Sequence, residues 1–146
     1  MKQVKGFTFI EVLTVLSIIA IATIGSLTVR DWALGNARVS EAKSQIITIQ
    51  SGSALWRPRD GTYSGISLAS MSGIAAVPQN WGDGVGLNPW GGDVNVEVDG
   101  SDPTRYVVTL DGIDENAEGA RLARDFADYA LDASYSAGAL VVRFQG

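Results

Sequence analysis

Cysteine and histidine are both missing from the 146 residues of this chain. The absence of cysteine excludes disulfides and thiolate metal sites. The absence of histidine removes the most common general base and the most common metal ligand. The sequence also carries no nucleophile-base pair, Walker sequence or dinucleotide fingerprint. We therefore expect a protein that is not an enzyme.

Basic residues are scarce relative to acidic ones, with 11 lysines and arginines against 16 aspartates and glutamates. Loss of Met1–Gly6 would remove two lysines and take the formal charge from −5 to −7. Binding to duplex nucleic acid depends on cationic side chains that neutralise phosphates. We therefore predict no direct binding to duplex nucleic acid.

Charged side chains are also missing from Val12–Val29, and Arg30 and Asp31 end this apolar run with opposite signs. As a helix, Phe7–Val29 would be about 34 Å long, which exceeds a hydrocarbon core of about 30 Å. Glu11 lies near the start of this helix, where an ionised carboxylate costs about 2.5 kcal/mol or more in lipid. The sequence predicts a membrane-length helix with an acid that needs a partner.

Three ordinary interpretations of the apolar segment compete. It could be a secretory signal peptide with Ala20-Ile21-Ala22 as the cleavage site, but Glu11 within the apolar region argues against this. It could be a buried core helix, although the uncharged run is longer than ordinary globular helices. It could also be an uncleaved anchor. Lys2 and Lys5 precede the run, which predicts a cytoplasmic N-terminus and a translocated remainder.

The segment Lys5-Gly6-Phe7-Thr8-Phe9-Ile10-Glu11-Val12-Leu13 resembles the N-terminal signature of type IV pilins and pseudopilins. The resemblance implies that a prepilin peptidase cleaves between Gly6 and Phe7 and that Phe7 is then N-methylated. It also implies that Glu11 pairs with the N-terminal amine of a neighbouring subunit during assembly. An amine is also the kind of partner that a carboxylate at this depth requires.

A second segment extends the resemblance into the C-terminal half. Asn88-Pro89-Trp90-Gly91-Gly92 is similar to the segment that leads into the sheet of type IVb pilins, and to the Pro-Trp-Gly turn of major pseudopilins. The short leader and Phe7 are instead typical of type IVa pilins and pseudopilins, so the subclass stays open. Most type IV pilins close their C-terminal region with a disulfide. Here either packing alone holds that region, or the chain represents a disulfide-free branch.

Hydrophobic periodicity predicts one helix from about Phe7 to about Ser53, followed by smaller elements. An apolar stripe on its second half comprises Trp32, Val39, Ala42, Ile46, Ile49 and Leu55. The remaining predictions are a helix within Ser67–Ala76, strands at Val94–Val98 and Arg105–Leu110, a helix from Glu115 to Leu131 with Asp114 as N-cap, and a terminal strand at Leu140–Phe144. In the last helix, Leu122, Phe126, Tyr129 and Ala130 are expected to form the buried face.

The expected fold is α+β. A long N-terminal helix, transmembrane in its first half and amphipathic in its second, packs on a small antiparallel sheet with a further helix, as in the ladle fold of pilins. The predicted organisation is a leader peptide at 1–6, a transmembrane and filament-core helix at 7–30, and a periplasmic or extracellular head at 31–146. The head includes the second half of the long helix.

Acidic side chains in two loops are weak candidates for a calcium site: Asp99, Asp102, Asp111, Asp114 and Glu115. Calcium takes oxygen ligands, and some major pseudopilins bind it in their C-terminal loop. EF-hand spacing is missing, and acidic residues in turns commonly act as solvated caps. We therefore predict no metal and no other cofactor, with calcium as the alternative.

The leading hypothesis is a structural subunit of a type IV pilus. Its predicted partners are identical subunits, the prepilin peptidase, an inner-membrane assembly platform and, before assembly, the lipid bilayer. The precursor would be a single-pass inner-membrane protein, and the assembled form a cell-surface pilus. One alternative is a pseudopilin of a type II secretion system. A second, from another class, is an uncleaved bitopic binding module that never polymerises.

Overall fold

The computed structural model describes residues 6–146, so the predicted cationic flank at Lys2 and Lys5 lies outside the described residues. The helices are α1 (Phe9–Trp56), α2 (Leu68–Gly73) and α3 (Asn116–Phe126), with a short 3-10 helix at Gln79–Trp81. The strands are β1 (Val94–Val98), β2 (Arg105–Leu110), β3 (Asp132–Ser136) and β4 (Ala139–Gln145). The chain divides into two compact units, of which the first ends at Asn36 and the second spans Ala37–Gly146.

The first unit exposes the apolar side chains of α1 from Val12 to Val29. The hydroxyl groups of this region donate to carbonyl oxygens of the preceding helical turn, at 2.8 Å from Thr14 to Ile10 and at 2.8 Å from Ser17 to Leu13. Thr23, Ser26 and Thr28 do the same. Because these hydroxyls are paired within the helix, they are compatible with a medium that offers no hydrogen bonds.

Within residues 6–146, α1 is the one helix that is long and apolar enough to cross a membrane. The helix continues without interruption through Gly25, where a β-carbon would meet no atom within 4 Å. A glycine inside a helix costs about 1 kcal/mol relative to alanine. Helix α1 is nevertheless continuous at this position.

The second unit is built on a four-stranded antiparallel sheet of order β1-β2-β4-β3. Val96 lies opposite Val108 across β1 and β2, and Val108 lies opposite Val142 across β2 and β4. Alternate residues of each strand point to the same face of a sheet. The face that carries these valines forms the core with residues of α1, α2 and α3.

The buried part of α1 confirms the centre of the predicted stripe and corrects its ends. Val39, Ala42, Ile46 and Ile49 are buried against the sheet core. Trp32 and Leu55, by contrast, are exposed to 72% and 75%. The α+β architecture, with a long helix packed on a small antiparallel sheet and a further helix, is confirmed.

The C-terminal helix is shorter than predicted, and the strand that follows it was missed. Helix α3 ends at Phe126, after which the amide groups of Tyr129 and Ala130 both donate to the Phe126 carbonyl. This turn directs the chain back towards the sheet, where the amide of Leu131 donates to the Arg143 carbonyl. Tyr129, predicted on the buried face, is therefore exposed.

Strand β3 was missed because its sequence, Asp-Ala-Ser-Tyr-Ser, carries little apolar content. Its register with β4 pairs Ser136 with Ala139 and leaves Ala137 and Gly138 as a two-residue turn with positive φ at both positions. A turn of this kind favours a tight hairpin. Gly138 was the available sequence signal for this turn, because a residue with a side chain, such as Ala137, rarely adopts positive φ.

The N-cap of α3 is Glu115 and not the predicted Asp114, and its side chain makes no capping hydrogen bond. The packing of α3 on β3 depends on Gly119, where a β-carbon would lie 2.3 Å from Cε2 of Tyr135. The Tyr135 hydroxyl in turn lies 2.9 Å from the Ile113 carbonyl oxygen. Glycine at position 119 therefore allows the tyrosine ring to lie directly against the helix.

Candidate processing and assembly site

The bond between Gly6 and Phe7 lies before the start of α1, in backbone that is neither helix nor strand. Both residues are exposed, and the Phe7 side chain is 91% accessible. A β-carbon at Gly6 would meet no atom within 4 Å. The predicted cleavage bond is thus accessible and outside regular secondary structure, as a proteolytic site requires.

Glu11 lies in the first turn of α1 and forms a reciprocal pair with Thr8. The Thr8 amide donates to Glu11 Oε2 at 2.8 Å, and the Glu11 amide donates to Thr8 Oγ1 at 3.2 Å. This is a capping box, in which two amide groups that lack helical partners are satisfied by side chains. The Thr-Phe-Ile-Glu spacing is a sequence signal for it, and the sequence analysis did not use it.

The capping box fixes the position of the Glu11 carboxylate at the helix N-terminus. The positive end of the helix macrodipole favours a negative charge there. An ionised carboxylate has about four acceptor positions, and the Thr8 amide uses one of them. Glu11 can therefore hold the start of α1 and still accept hydrogen bonds from an ammonium group of a second chain.

The weak calcium candidates are engaged in turns. Asp99 Oδ1 accepts hydrogen bonds from the amide and hydroxyl of Ser101, and these bonds lower the Asp99 pKa. Asp102 repeats the arrangement with Thr104, with the same effect on its pKa. Arg143 Nε lies 2.6 Å from Asp99 Oδ2, the distance of a close ion pair, although its N–H direction is unsuited to a hydrogen bond.

Asp111 and Asp114 lie in a different loop, after β2, and are exposed. Across residues 6–146, the structure contains no group of three or more histidine, cysteine, aspartate or glutamate residues arranged to hold a metal ion. The side-chain hydrogen bonds described above for Asp99 and Asp102 lie within the first of these two loops.

Asn88, from the Asn-Pro-Trp-Gly-Gly segment, joins two loops of the head. Its Nδ2 donates to the carbonyl oxygens of Asp93 and Asp111, and its Oδ1 accepts from the amides of Trp90 and Gly92. The side chain is buried, and all of its hydrogen-bonding capacity is used in these contacts. The sequence analysis identified this segment by resemblance and did not assign Asn88 this role.

Trp90 and Gly92 complete the junction. Trp90 Nε1 donates to Glu118 Oε2 at 2.7 Å, which ties the turn to α3. A β-carbon at Gly92 would lie 2.0 Å from the Asp111 carbonyl oxygen, so the backbone can approach this closely only at glycine. Trp56, Trp81 and Trp90 are partly buried and pack against the core.

The C-terminal region is held by its place in the sheet. Strand β4 lies between β2 and β3 and pairs with both. The amide of Gly146 also donates to the Thr104 carbonyl at 3.2 Å. An inner strand has its backbone groups paired on both sides. Ladder pairing thus restrains this region without a disulfide.

The fold and the N-terminal site together define a membrane-anchored precursor with an α+β head. Comparison with protein families gives a match over residues 1–27 to the prokaryotic N-terminal methylation motif. This motif is the class III signal peptide of type IV pilins and pseudopilins, and it supports a precursor of that kind. Comparisons with curated proteins and with solved structures gave no match.

Proposed function

We propose that the chain is a structural subunit of a type IV pilus. In this proposal it is cleaved between Gly6 and Phe7, N-methylated at Phe7 and polymerised into a surface filament. Identical subunits, the prepilin peptidase and an inner-membrane assembly platform are its partners. The match to the methylation motif over residues 1–27 carries the proposal.

The exposed apolar helix supports polymerisation. Its side chains from Val12 to Val29 face outward in the described structure, and they need lipid before assembly. Once the helix leaves the bilayer, the same surface must be buried against other apolar surface. Identical helices of neighbouring subunits provide that surface, which makes helix packing the core of the proposed filament.

The proposed contact at Glu11 pairs its carboxylate with the N-terminal amine of a neighbouring subunit. Cleavage before Phe7 creates that amine, and methylation leaves it able to carry a positive charge. A buried ion pair is favourable only when both charges have partners. The Thr8 amide already donates a hydrogen bond to Oε2 of Glu11. In the proposed filament, the ammonium group of the neighbouring subunit is the second partner of this carboxylate.

The test is mass analysis of N-terminal peptides from two fractions of producing cells: filaments sheared from the surface and the washed envelope. Methylated Phe7 in the sheared filaments is the expected result. Methylated Phe7 found in the envelope alone would replace the proposal with a type II secretion pseudopilin or a minor component. An intact Met1, or a start after Ala22, would overturn the proposal.

A further inference from the structure

Aspartate is followed directly by glycine at four places in the chain: Asp60-Gly61, Asp83-Gly84, Asp99-Gly100 and Asp111-Gly112. In such a step the glycine nitrogen can attack the side-chain carboxyl group and close a succinimide ring, because glycine places no β-carbon beside the attacking nitrogen. Ring closure is easiest where the carboxyl group and the amide make no hydrogen bonds, since each bond must otherwise be broken first. The contacts around each step therefore show which one can react in the folded head.

At the first two steps, both reacting groups are engaged in the turns where they lie. Asp60 Oδ1 and Asp83 Oδ1 each accept a hydrogen bond from the amide two residues ahead, at 3.1 and 3.3 Å. The amides of Gly61 and Gly84 each donate to the carbonyl group three residues back, at 3.1 and 3.0 Å. Ring closure at either step must therefore break the hydrogen bonds of both reacting groups.

At the third step, the carboxylate is buried and engaged on both oxygens. Asp99 Oδ1 accepts hydrogen bonds from the amide and the hydroxyl of Ser101, and its Oδ2 lies 2.6 Å from Arg143 Nε. Ring closure removes one oxygen from the attacked carboxyl group. The step at Asp99 must therefore give up part of this network before it can react.

The step at Asp111 differs from the other three. Asp111 and Gly112 are both exposed, in the loop between β2 and α3. Among residues 6–146, no donor is hydrogen bonded to the Asp111 carboxylate and no acceptor to the Gly112 amide. The amides of Asp111 and Ile113 donate instead to carbonyl groups of neighbouring segments, at 3.0 and 2.9 Å. The two reacting groups thus face solvent within a loop that is fixed on both sides.

We propose that Asp111 is a site of isoaspartate formation in the folded protein, through a succinimide that it forms with the Gly112 nitrogen. This nitrogen bonds to Cγ of the Asp111 side chain in its acid form, and the carboxyl hydroxyl leaves with the amide hydrogen as water. A second water then opens the ring. Addition at Cγ restores aspartate, whereas addition at the backbone carbonyl carbon breaks the original peptide bond and leaves the chain running through Cβ and Cγ as isoaspartate.

Isoaspartate at position 111 changes the junction at Asn88. The Asp111 carbonyl oxygen accepts a hydrogen bond from Asn88 Nδ2 and approaches Gly92 so closely that a β-carbon there would lie 2.0 Å away. In the product this neutral carbonyl becomes an ionised carboxylate, and the backbone between the fixed amides of Asp111 and Ile113 gains one atom. A charge in a closely packed position is unfavourable. The modification therefore alters the contact that joins the two loops of the head.

The test compares the four steps in the folded and the unfolded chain. The full chain is incubated in heavy-oxygen water, once in detergent alone and once in guanidinium chloride, and is then digested in ordinary water. Each ring opening adds one heavy oxygen, and electron-transfer fragmentation of the peptides distinguishes isoaspartate from aspartate. Trypsin places Asp111 in the peptide Tyr106–Arg121, which contains no second Asp-Gly step.

In the folded chain, we expect at least about tenfold more isoaspartate at position 111 than at any other step, because the other three must first break hydrogen bonds. In guanidinium chloride these contacts are lost, and the four yields should become similar. A second step that reacts as fast as Asp111 in the folded chain would overturn the inference. So would an unmodified Asp111 in the folded chain after an interval in which the unfolded chain reacts.

Asp111→Glu is the matched variant, because it keeps the charge at an exposed position and glutamate closes the larger ring far more slowly. Labelling of the Tyr106–Arg121 peptide should fall to background in this variant, while the other peptides label as in the wild type. Labelling of this peptide at the wild-type level would show that Asp111 is not the reacting residue. The reaction requires no filament, so its failure leaves the proposed pilus function intact.

Discussion

Single buried polar side chains hold much of this head together. Asn88 satisfies four backbone groups in two loops, and Trp90 ties the same region to Glu118 on α3. Leaving a buried amide or carbonyl group without a hydrogen-bond partner costs more free energy than the hydrogen bond contributes to the stability of the folded chain. A small substitution at Asn88 is therefore expected to destabilise the head.

We expect Asn88→Ala to destabilise the head by about 2 kcal/mol or more, because it removes four hydrogen bonds at a buried position, two of them from the amides of Trp90 and Gly92. That loss lowers the thermal midpoint by about 8 °C or more for a domain of this size. Thermal unfolding of the detergent-solubilised chain measures it. Asn95→Ala, an exposed change on β1, is the control. Equal midpoints for the two variants would show that the Asn88 bonds contribute little.

Tyr106 couples a strand to the long helix. It is buried in β2, and its hydroxyl is hydrogen bonded to Ser53 of α1. Burial raises the Tyr106 pKa to about 12, and the bond to Ser53 acts in the opposite direction. The ionised form is therefore disfavoured in the folded head relative to the unfolded chain, where the pKa is near 10.

Stability linked to Tyr106 should be fully present below pH 10 and decrease as the pH rises from about 10 towards 12, because the unfolded chain loses the proton first. Between pH 10 and 11 the expected loss is about 1 kcal/mol, or about 4–8 °C in thermal midpoint. Tyr106→Phe should remove this part of the alkaline slope. Tyr129→Phe, at an exposed position, should retain it, and identical slopes in the two variants would refute the assignment.

The beginning of α1 is stabilised by side chains rather than by tertiary contacts. Phe7, Phe9 and Ile10 are exposed around the Thr8–Glu11 capping box. The box therefore determines where the helix starts and how the Glu11 carboxylate is oriented. The contribution of the capping box can be measured separately from that of the Glu11 charge, because Thr8 accepts one of its two hydrogen bonds and Glu11 accepts the other.

Thr8→Val keeps the shape of the side chain but removes the acceptor for the Glu11 amide, a change that costs about 1 kcal/mol at an N-cap. The Glu11 amide should then exchange with solvent about fivefold faster, as measured by hydrogen exchange in detergent micelles. Thr8→Ser retains the acceptor and should exchange like the wild type. No difference between the valine and serine variants would argue against the capping box in the membrane-bound chain.

At the scale of the whole molecule, the chain combines an anchor that needs lipid or other helices with a head that folds around its own core. The head reaches this state without a disulfide, because β4 occupies an inner position in the sheet. The N-terminal methylation motif supports a pilin or pseudopilin precursor. In the proposed function, assembly depends on groups that the isolated chain leaves exposed, and Glu11 is the principal one.

Glu11→Gln separates assembly from helix capping, because glutamine can keep the bond from the Thr8 amide but carries no charge. Loss of a charge-assisted contact costs about 1.5–3 kcal/mol. The yield of sheared filaments should fall by about tenfold or more, while cleavage before Phe7 and head stability remain unchanged. Filament yield is measured by quantitative immunoblotting of sheared and cell fractions.

Gly6→Arg serves as the opposite control for Glu11→Gln, because it is expected to leave uncleaved precursor in the envelope. If Glu11→Gln cells made filaments at the wild-type level, Glu11 would have no role as a charged partner in assembly. Quantitative cleavage of the Gly6→Arg chain would contradict the assigned processing site.

The sequence by itself determined the features that depend on local order. The uncharged run from Val12 to Val29, the Gly6–Phe7 bond and the position of Glu11 are readable directly, because a membrane helix and a processing motif are contiguous. The strands β1 and β2 and the centre of the buried stripe on α1 were also predictable, because apolar periodicity reports burial against one face.

Tertiary structure decided the features that join distant residues. Strand β3 forms because β4 offers it a partner, and its own polar sequence gives little indication of this. The exposure of Tyr129 follows from the turn that directs the chain to β4, and the four bonds of Asn88 exist only once two loops meet. The ion pair of Lys43 on α1 with Asp125 on α3 likewise joins two helices that are far apart in sequence. Local sequence patterns indicate which residues are buried, whereas the folded chain determines which residues each of them contacts.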